Sequence, residues 1–419
     1  MDVLLIGSRG REHALALALK KDERVNNIFC IPGNGGLAGI ATCIKMDIFD
    51  FEAIAEFLDA NPSIKLTVVN PDELLSKGLV EFLTRRGHRT FGCDIIGANL
   101  EGCKSFANDF CHKYGIPAPS YRIFEDYPSA KKYVQRQTFP LVIKTDGRTA
   151  GKGILFCKNQ RDAENALYDI MVARLFGDAG KKVDVEEFIS GTNIIVSVIT
   201  DGETVIPLPA VENYKRVYDG NLGMSTAGMG ASMPAAVYTE EVARKAYDEI
   251  FLPTIESLKK EGCVYKGWLC FSLIVKDDGR VFVVDFVSRP CDVESQLLIP
   301  QIETPLIDVF NAVIDGKLAD VNLHINKRCG VCVVATSGGY PLDYNKNVKI
   351  TLGDIDDTVS VFHAGTKIVD GELKTSGGRV LAVVGFGETK KECVENVYSN
   401  IAKISFDGMH YRKDIGKEE

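Results

Sequence analysis

The sequence predicts a multidomain fold of α/β and α+β type, with a doubly wound N-terminal unit, a mixed central region and a β-rich C-terminal lobe. Three observations lead there. Residues 2–7 form a short apolar strand that ends in a Gly7-to-Gly10 turn, after which Ala14, Leu15, Ala18 and Leu19 recur at helical spacing over Arg11–Lys21. Further apolar strands near Ile28–Ile31, Leu66–Val69 and Thr90–Phe91 continue the strand–helix alternation of a doubly wound sheet. From about Arg328 the chain becomes rich in β-branched residues and glycine, and it closes with a helix near Lys390–Lys403.

The central region reads as a helix near Lys104–Lys113, a strand ending at Lys144 and a glycine hairpin. Strands follow at Val183–Phe188, Ile194–Thr200 and Thr204–Pro207. A long amphipathic helix over Thr239–Glu261 then leads to a strand carrying Asp285. Domains are expected at 1–100, 101–325 and 326–419. There is no solenoid repeat, low-complexity segment or long Pro/Ser linker.

Charge narrows the function classes. With 49 basic against 57 acidic residues, the net charge of −8 argues against a nucleic-acid-binding face, which needs clustered cations, yet leaves room for anionic substrates held by a few local lysines. No apolar run approaches a membrane span, and the N-terminus is unlike a secretory signal, so a cytoplasmic protein is expected. Of the 12 cysteines, only Cys329-Gly-Val-Cys332 has metal-like spacing. It lacks a partner pair and sits in strand-like sequence, so the cysteines read as small hydrophobes. No two histidines stand at i, i+4, which leaves no zinc motif.

The most informative segment is Pro140-Leu-Val-Ile-Lys144-Thr-Asp-Gly-Arg-Thr-Ala-Gly151-Lys152-Gly153, a buried strand running into a glycine-rich turn with two lysines. Glycines let backbone N–H groups approach an anion while ammonium groups neutralise it. It is not the Walker pattern, and alone such a hairpin is more often a plain surface turn. Its neighbours change the reading. Lys104 lies upstream, Glu186-Glu187-Phe188 downstream, and the strand at Val281 ends in Asp285, Arg289, Asp292 and Glu294. Lysines for phosphates, a carboxylate for Mg²⁺ and an arginine for a transferring phosphoryl group are the parts of an ATP-dependent ligase.

Over nearly its whole length the chain resembles the phosphoribosylamine–glycine ligases (glycinamide ribonucleotide synthetases), ATP-grasp enzymes of purine biosynthesis. The resemblance runs through Gly7-Ser-Arg-Gly10-Arg11-Glu12-His13-Ala14, Pro32-Gly33-Asn34, Leu100-Glu-Gly-Cys-Lys104, Lys215-Arg216 and Gly228-Met-Gly230. It continues in Gly338-Gly-Tyr340-Pro341, Phe362-His-Ala-Gly365-Thr366, Gly377-Gly-Arg379-Val and Tyr411-Arg412-Lys413-Asp414-Ile415-Gly416. It implies two ATP-grasp lobes closing on a nucleotide. It also implies a reaction in which ATP converts glycine to glycyl phosphate and the amine of phosphoribosylamine displaces phosphate.

Carried over residue by residue, the resemblance gives Lys104, Lys144, Gly151, Lys152, Gly153, Glu186, Glu187 and Phe188 to ATP, with the 147–153 turn as a lid. Asp285 falls to Mg²⁺ or Mn²⁺, Arg289 to the phosphoryl group, and Asp292 and Glu294 to glycine. Gly10, Arg11, Glu12, Asn34, Lys215, Arg216, Gly228 and Gly230 fall to the substrates. A monomer serving small molecules is expected, with neither membrane nor nucleic acid.

The departures from the family pattern cluster around metal and substrate. Asn70 and Asp72 stand in a V-G-P-E motif, Asn193 in G-E-E and Asn213 in D-H-K-R. Asp285 and Val287 replace a glutamate and an asparagine, and Cys291 replaces the glycine of R-F-G-D-P-E. A divergent synthetase, an ATP-grasp ligase with another amine or carboxylate, and a catalytically weak nucleotide-binding relative all remain open on this reading.

Overall fold

The computed structural model describes residues 1–147, 149 and 152–417, and in it the N-terminal unit is a parallel sheet. Its strands are β1 (Asp2–Gly7), β2 (Ile28–Pro32), β3 (Thr42–Cys43), β4 (Ile64–Val69) and β5 (Thr90–Phe91), in the order β3-β2-β1-β4-β5. Along β1, Val3 and Leu5 join one apolar cluster while Leu4 and Ile6 join another. Burial on both faces explains why the strand is uninterruptedly apolar. The strand order reverses between β1 and β4, which opens a crevice at their carboxyl ends beside Gly7 and Asn70.

A four-stranded antiparallel lobe follows, with β6 (Tyr121–Phe124), β7 (Leu141–Thr145), β8 (Ile154–Cys157) and β9 (Val183–Glu187) in the order β6-β9-β7-β8. Leu141, Ile143, Val183 and Val185 pack with Ala163, Leu167 and Ile170 to form its core. The period of two then turns Lys144, Asp184 and Glu186 to the opposite face.

The large sheet contains β10 (Thr192–Thr200), β11 (Val205–Pro207), β12 (Val211–Tyr218), β13 (Leu222–Met233), β14 (Gly267–Val275), β15 (Val281–Val287) and β16 (Cys329–Thr336). Small strands β17 (Thr351–Leu352), β19 (Thr366–Val369), β20 (Glu372–Thr375) and β22 (Ile404–Ser405) pair separately, while β18 (Val359–His363) and β21 (Arg379–Gly387) extend the large sheet. Its order is β15-β14-β10-β12-β13-β16-β21-β18, with β11 beside β10, so one hydrogen-bonded sheet crosses residue 326. The Lys390–Ile401 helix covers it through Cys393, Val397 and Ile401.

Two local expectations change. The run predicted as one helix over Thr239–Glu261 is Glu240–Ala246, a wider turn over Tyr247–Phe251, and Leu252–Lys260. Pro253 has no N–H to give the preceding turn, so the winding loosens just before it. The first helix begins at Gly10, where the Glu12 carboxylate accepts from the Arg9 amide at 2.6 Å. No helix among the described residues is long and apolar enough to cross a membrane.

Candidate functional site

Lys144 leaves β7 almost fully buried, 5% exposed, and reaches Glu186 on the neighbouring β9 at 2.6 Å and the Val284 carbonyl of β15 at 2.9 Å. It thereby bridges the small lobe and the large sheet. Burial opposes its charge, yet Glu186, Asp285 and Asp184 outweigh that and raise its pKa. Lys104, at the start of the Lys104–Tyr114 helix, pairs with Asp285. Burial likewise works against the Asp285 carboxylate, and Lys104 and Lys144 outweigh it to lower its pKa. The result is a row of alternating charges, Lys104, Asp285, Lys144, Glu186, drawn from a helix and three strands, with Lys144 and Glu186 buried and Lys104 and Asp285 partly open to water. Cationic hydrogen-bond donors in such a setting suit the oxygens of a polyphosphate.

The other acidic and basic predictions resolve into two groups. Arg289 donates to Glu101 at 2.8 Å and Asp72 at 3.1 Å. Glu101 in turn accepts from the Ser288 amide and hydroxyl, so the guanidinium is held from two segments, at Asp72 and at Glu101. Asp292 pairs instead with Arg379 of β21 and accepts from the Arg11 amide at 3.1 Å. Arg289 and Asp292, three residues apart, thus pair with different partners rather than with each other. Burial opposes ionisation at Asp292, but Arg379, Arg11 and Arg9 draw its carboxyl down to about 2. Glu294 accepts from Asn213, and burial pushes its pKa up.

Several predicted substrate residues are occupied within the protein. Glu12 binds the Arg9 amide and the Arg11 guanidinium, both at 2.6 Å, which locks the first turn. Gly10 leaves no space for a side chain, since a Cβ would sit 2.3 Å from the Gln296 amide. Asn34 donates to the Ser8 and His363 carbonyls and accepts from the Gly36 and Leu37 amides, which spends its hydrogen-bonding capacity. Gly230 lies under the Cys332 carbonyl, and Gly228 has a φ of +109° that disfavours a side chain.

Lys215 and Arg216, adjacent on β12, diverge. Lys215 reaches Ser272 at 3.5 Å, beside Asp285 in the sheet register, whereas Arg216 lines a cavity of about 700 Å³ with Lys152, Phe156 and Leu222. Glu187 accepts from the Ser120 amide at the lobe junction, and Phe188 is 41% exposed against Phe156. Gly153 fits under Thr145 and Thr149, and Gly151 lies outside the described residues.

Sequence reasoning missed Asn108, Asp184, Glu101 and Arg379 as site residues. Asn108 donates to both Asp184 and Glu186. It stands four residues after Lys104 on one helix face, and Asp184 two before Glu186 on one strand face, so simple periodicity could have found both. Buried polar atoms without hydrogen-bond partners also gather here: both amide atoms of Asn70, Asp184 Oδ1, Asn193 Oδ1, Asn213 Oδ1 and Arg289 Nε. Such orphaned atoms are uncommon in protein interiors, and polar groups of a ligand would satisfy them.

For a divalent cation the donor set is sparse. The described residues contain no cluster of three His, Cys, Asp or Glu able to hold a metal, and Cys329 and Cys332 carry no such site. Asp285 is the carboxylate facing both lysines, and Val287, two residues on, packs into an apolar cluster. One carboxylate with nucleotide oxygens and water is sufficient for Mg²⁺, so Asp285 fits that role in its minimal form.

Comparison with known proteins identifies the family. The phosphoribosylglycinamide synthetase N domain matches residues 1–101, the ATP-grasp (A) domain 102–295 and the C domain 330–418. The phosphoribosylamine–glycine ligase of Clostridium acetobutylicum is 39% identical over 420 residues, covering 100% of both chains. That of Pseudomonas aeruginosa is 39% identical over 422 residues, covering 99% of this chain and 97% of the relative. The crystal structure of the Thermotoga maritima phosphoribosylamine–glycine ligase superposes with a TM-score of 0.85 at 29% identity, covering 99% and 100%. Biotin carboxylase from Campylobacter jejuni, at 16% identity and a TM-score of 0.74 over 99% of this chain and 94% of its own, shares the fold. Three matching domains in order, together with full-length relatives, establish that the chain belongs to the phosphoribosylglycinamide synthetase family of ATP-dependent ligases.

Proposed function

We propose that this chain joins glycine to 5-phosphoribosylamine at the expense of ATP, forming glycinamide ribonucleotide, ADP and phosphate, as a cytoplasmic monomer. The observation that carries the proposal is the row of alternating charges Lys104, Asp285, Lys144, Glu186 at the meeting of the two lobes. Lys104 and Lys144 hold the ATP phosphates, and Glu186 with the backbone through Phe188 meets the adenine side. Arg289 faces the transferring phosphoryl group. Glycine binds toward Asp292 and Glu294, and phosphoribosylamine near the β1–β4 crevice and Lys215. Amide formation needs the carboxylate oxygen turned into a leaving group. Phosphorylation by ATP does this, after which the amine attacks the carbonyl and phosphate departs. No covalent nucleophile of the protein is required, so the side chains act by positioning and charge stabilisation. Asp285 would hold Mg²⁺ or Mn²⁺, which would supply positive charge to the phosphate oxygens.

Incubating the protein with ATP, Mg²⁺, glycine and freshly generated phosphoribosylamine should release ADP only when both co-substrates are present. ADP release that ignores either one overturns the assignment. Because Val287 supplies no oxygen, water and ATP must fill more of the Mg²⁺ shell. The wild type should therefore need more Mg²⁺ for half-maximal turnover than a Val287→Asn variant. Equal Mg²⁺ curves would place residue 287 away from the metal.

A further inference from the structure

Asp184 is a buried carboxyl that the reaction above does not use. It is 1% exposed, lies across the strand ladder from Lys144, and shares the Asn108 amide with Glu186. The nearby charges do not balance if it is ionised. Lys144 is matched by Glu186 at 2.6 Å and Lys104 by Asp285, and none of the ion pairs among the described residues includes Asp184. The other groups facing it add no cation: Cys111 sits behind Glu186 on the Lys104–Tyr114 helix, Tyr121 lies on β6, and Asp146 follows β7. Two adjacent carboxylates also have only acceptors to offer each other, and Asp184 Oδ1 has no partner. One proton on the pair removes the surplus charge and supplies the missing donor.

We infer that Asp184 is a positioning residue for the nucleotide lysine, a carboxyl that keeps its proton beside Glu186 and so leaves the Lys144 charge available to phosphate. The inference rests on the ATP site proposed above. Burial, and then Glu186, hold the Asp184 carboxyl up near about 9, in line with the geometry. A polyphosphate anion favours the protonated pair, so affinity is full below the folded-state pKa and falls as pH rises through it, when a second negative charge appears behind Lys144.

The test is ATP affinity by titration calorimetry from pH 8 to 10, above the last phosphate ionisation of ATP, on wild type and Asp184→Asn, with Asp184→Ser as a second variant should the first not fold. The wild type should lose affinity by threefold or more across this window, and the variant should lose clearly less, because an amide keeps the shape without the titration. Parallel profiles overturn this inference alone. If ATP binds neither protein at any pH, the proposed function falls and takes this inference with it.

Discussion

Arg289→Ala should lower single-turnover ADP formation by about a hundredfold or more while ATP still binds, the loss expected when a donor that stabilises a transferring group is removed. The structure adds a condition to that experiment. Arg289 holds Asp72 and Glu101, and its own Nε lacks a partner, so the side chain is a strut as well as a donor. Removing one partner of a buried pair costs about 3–5 kcal/mol of stability. Rates must therefore be compared on protein shown to be folded, and Arg289→Lys supplies the control. Lysine keeps the charge for Glu101 but lacks the planar fork, so stability should largely return while turnover stays low. Rates equal to wild type in both folded variants would reduce Arg289 to its structural part.

Lys144→Ala should weaken ATP binding at least tenfold, about 1.4 kcal/mol. That is a lower bound, because the substitution also strips Glu186 of its cation and leaves carboxyls facing the phosphates. Calorimetry on the folded variant decides the matter, and unchanged affinity would remove the site from the β7–β9 face.

Much of this was legible in the sequence where one residue type has one physical meaning. The apolar run of β1, the strand ending near Lys144 and the acid at Asp285 emerged from periodicity alone, since buried parallel strands and strand-end charges leave clear patterns. Pairings across domains were less accessible. That Asp292 would choose Arg379 over Arg289 depends on how β21 is laid beside β16, which no local spacing encodes. The same holds for Gly10, Glu12 and Asn34. Their motif signals a turn near a ligand, but only the packed structure shows Glu12 and Asn34 spent on the turn itself. Asn70 is the reverse case: a departure from the family pattern that proves to be a buried amide with no partner.

The seam between β13 and β16 has a mechanical consequence. Because Gly230–Met233 and Gly330–Val333 are joined by backbone pairing, the C-terminal lobe and the large sheet form a single girder with no pivot between them. The four-stranded lobe has a sheet of its own and is tied in by the connections on either side, 115–120 and 188–191. Lys144 touching Val284 is then a latch between two bodies. Any closure over a nucleotide must be a swing of the small lobe against a stationary frame that carries Asp285, Arg289 and Asp292 together.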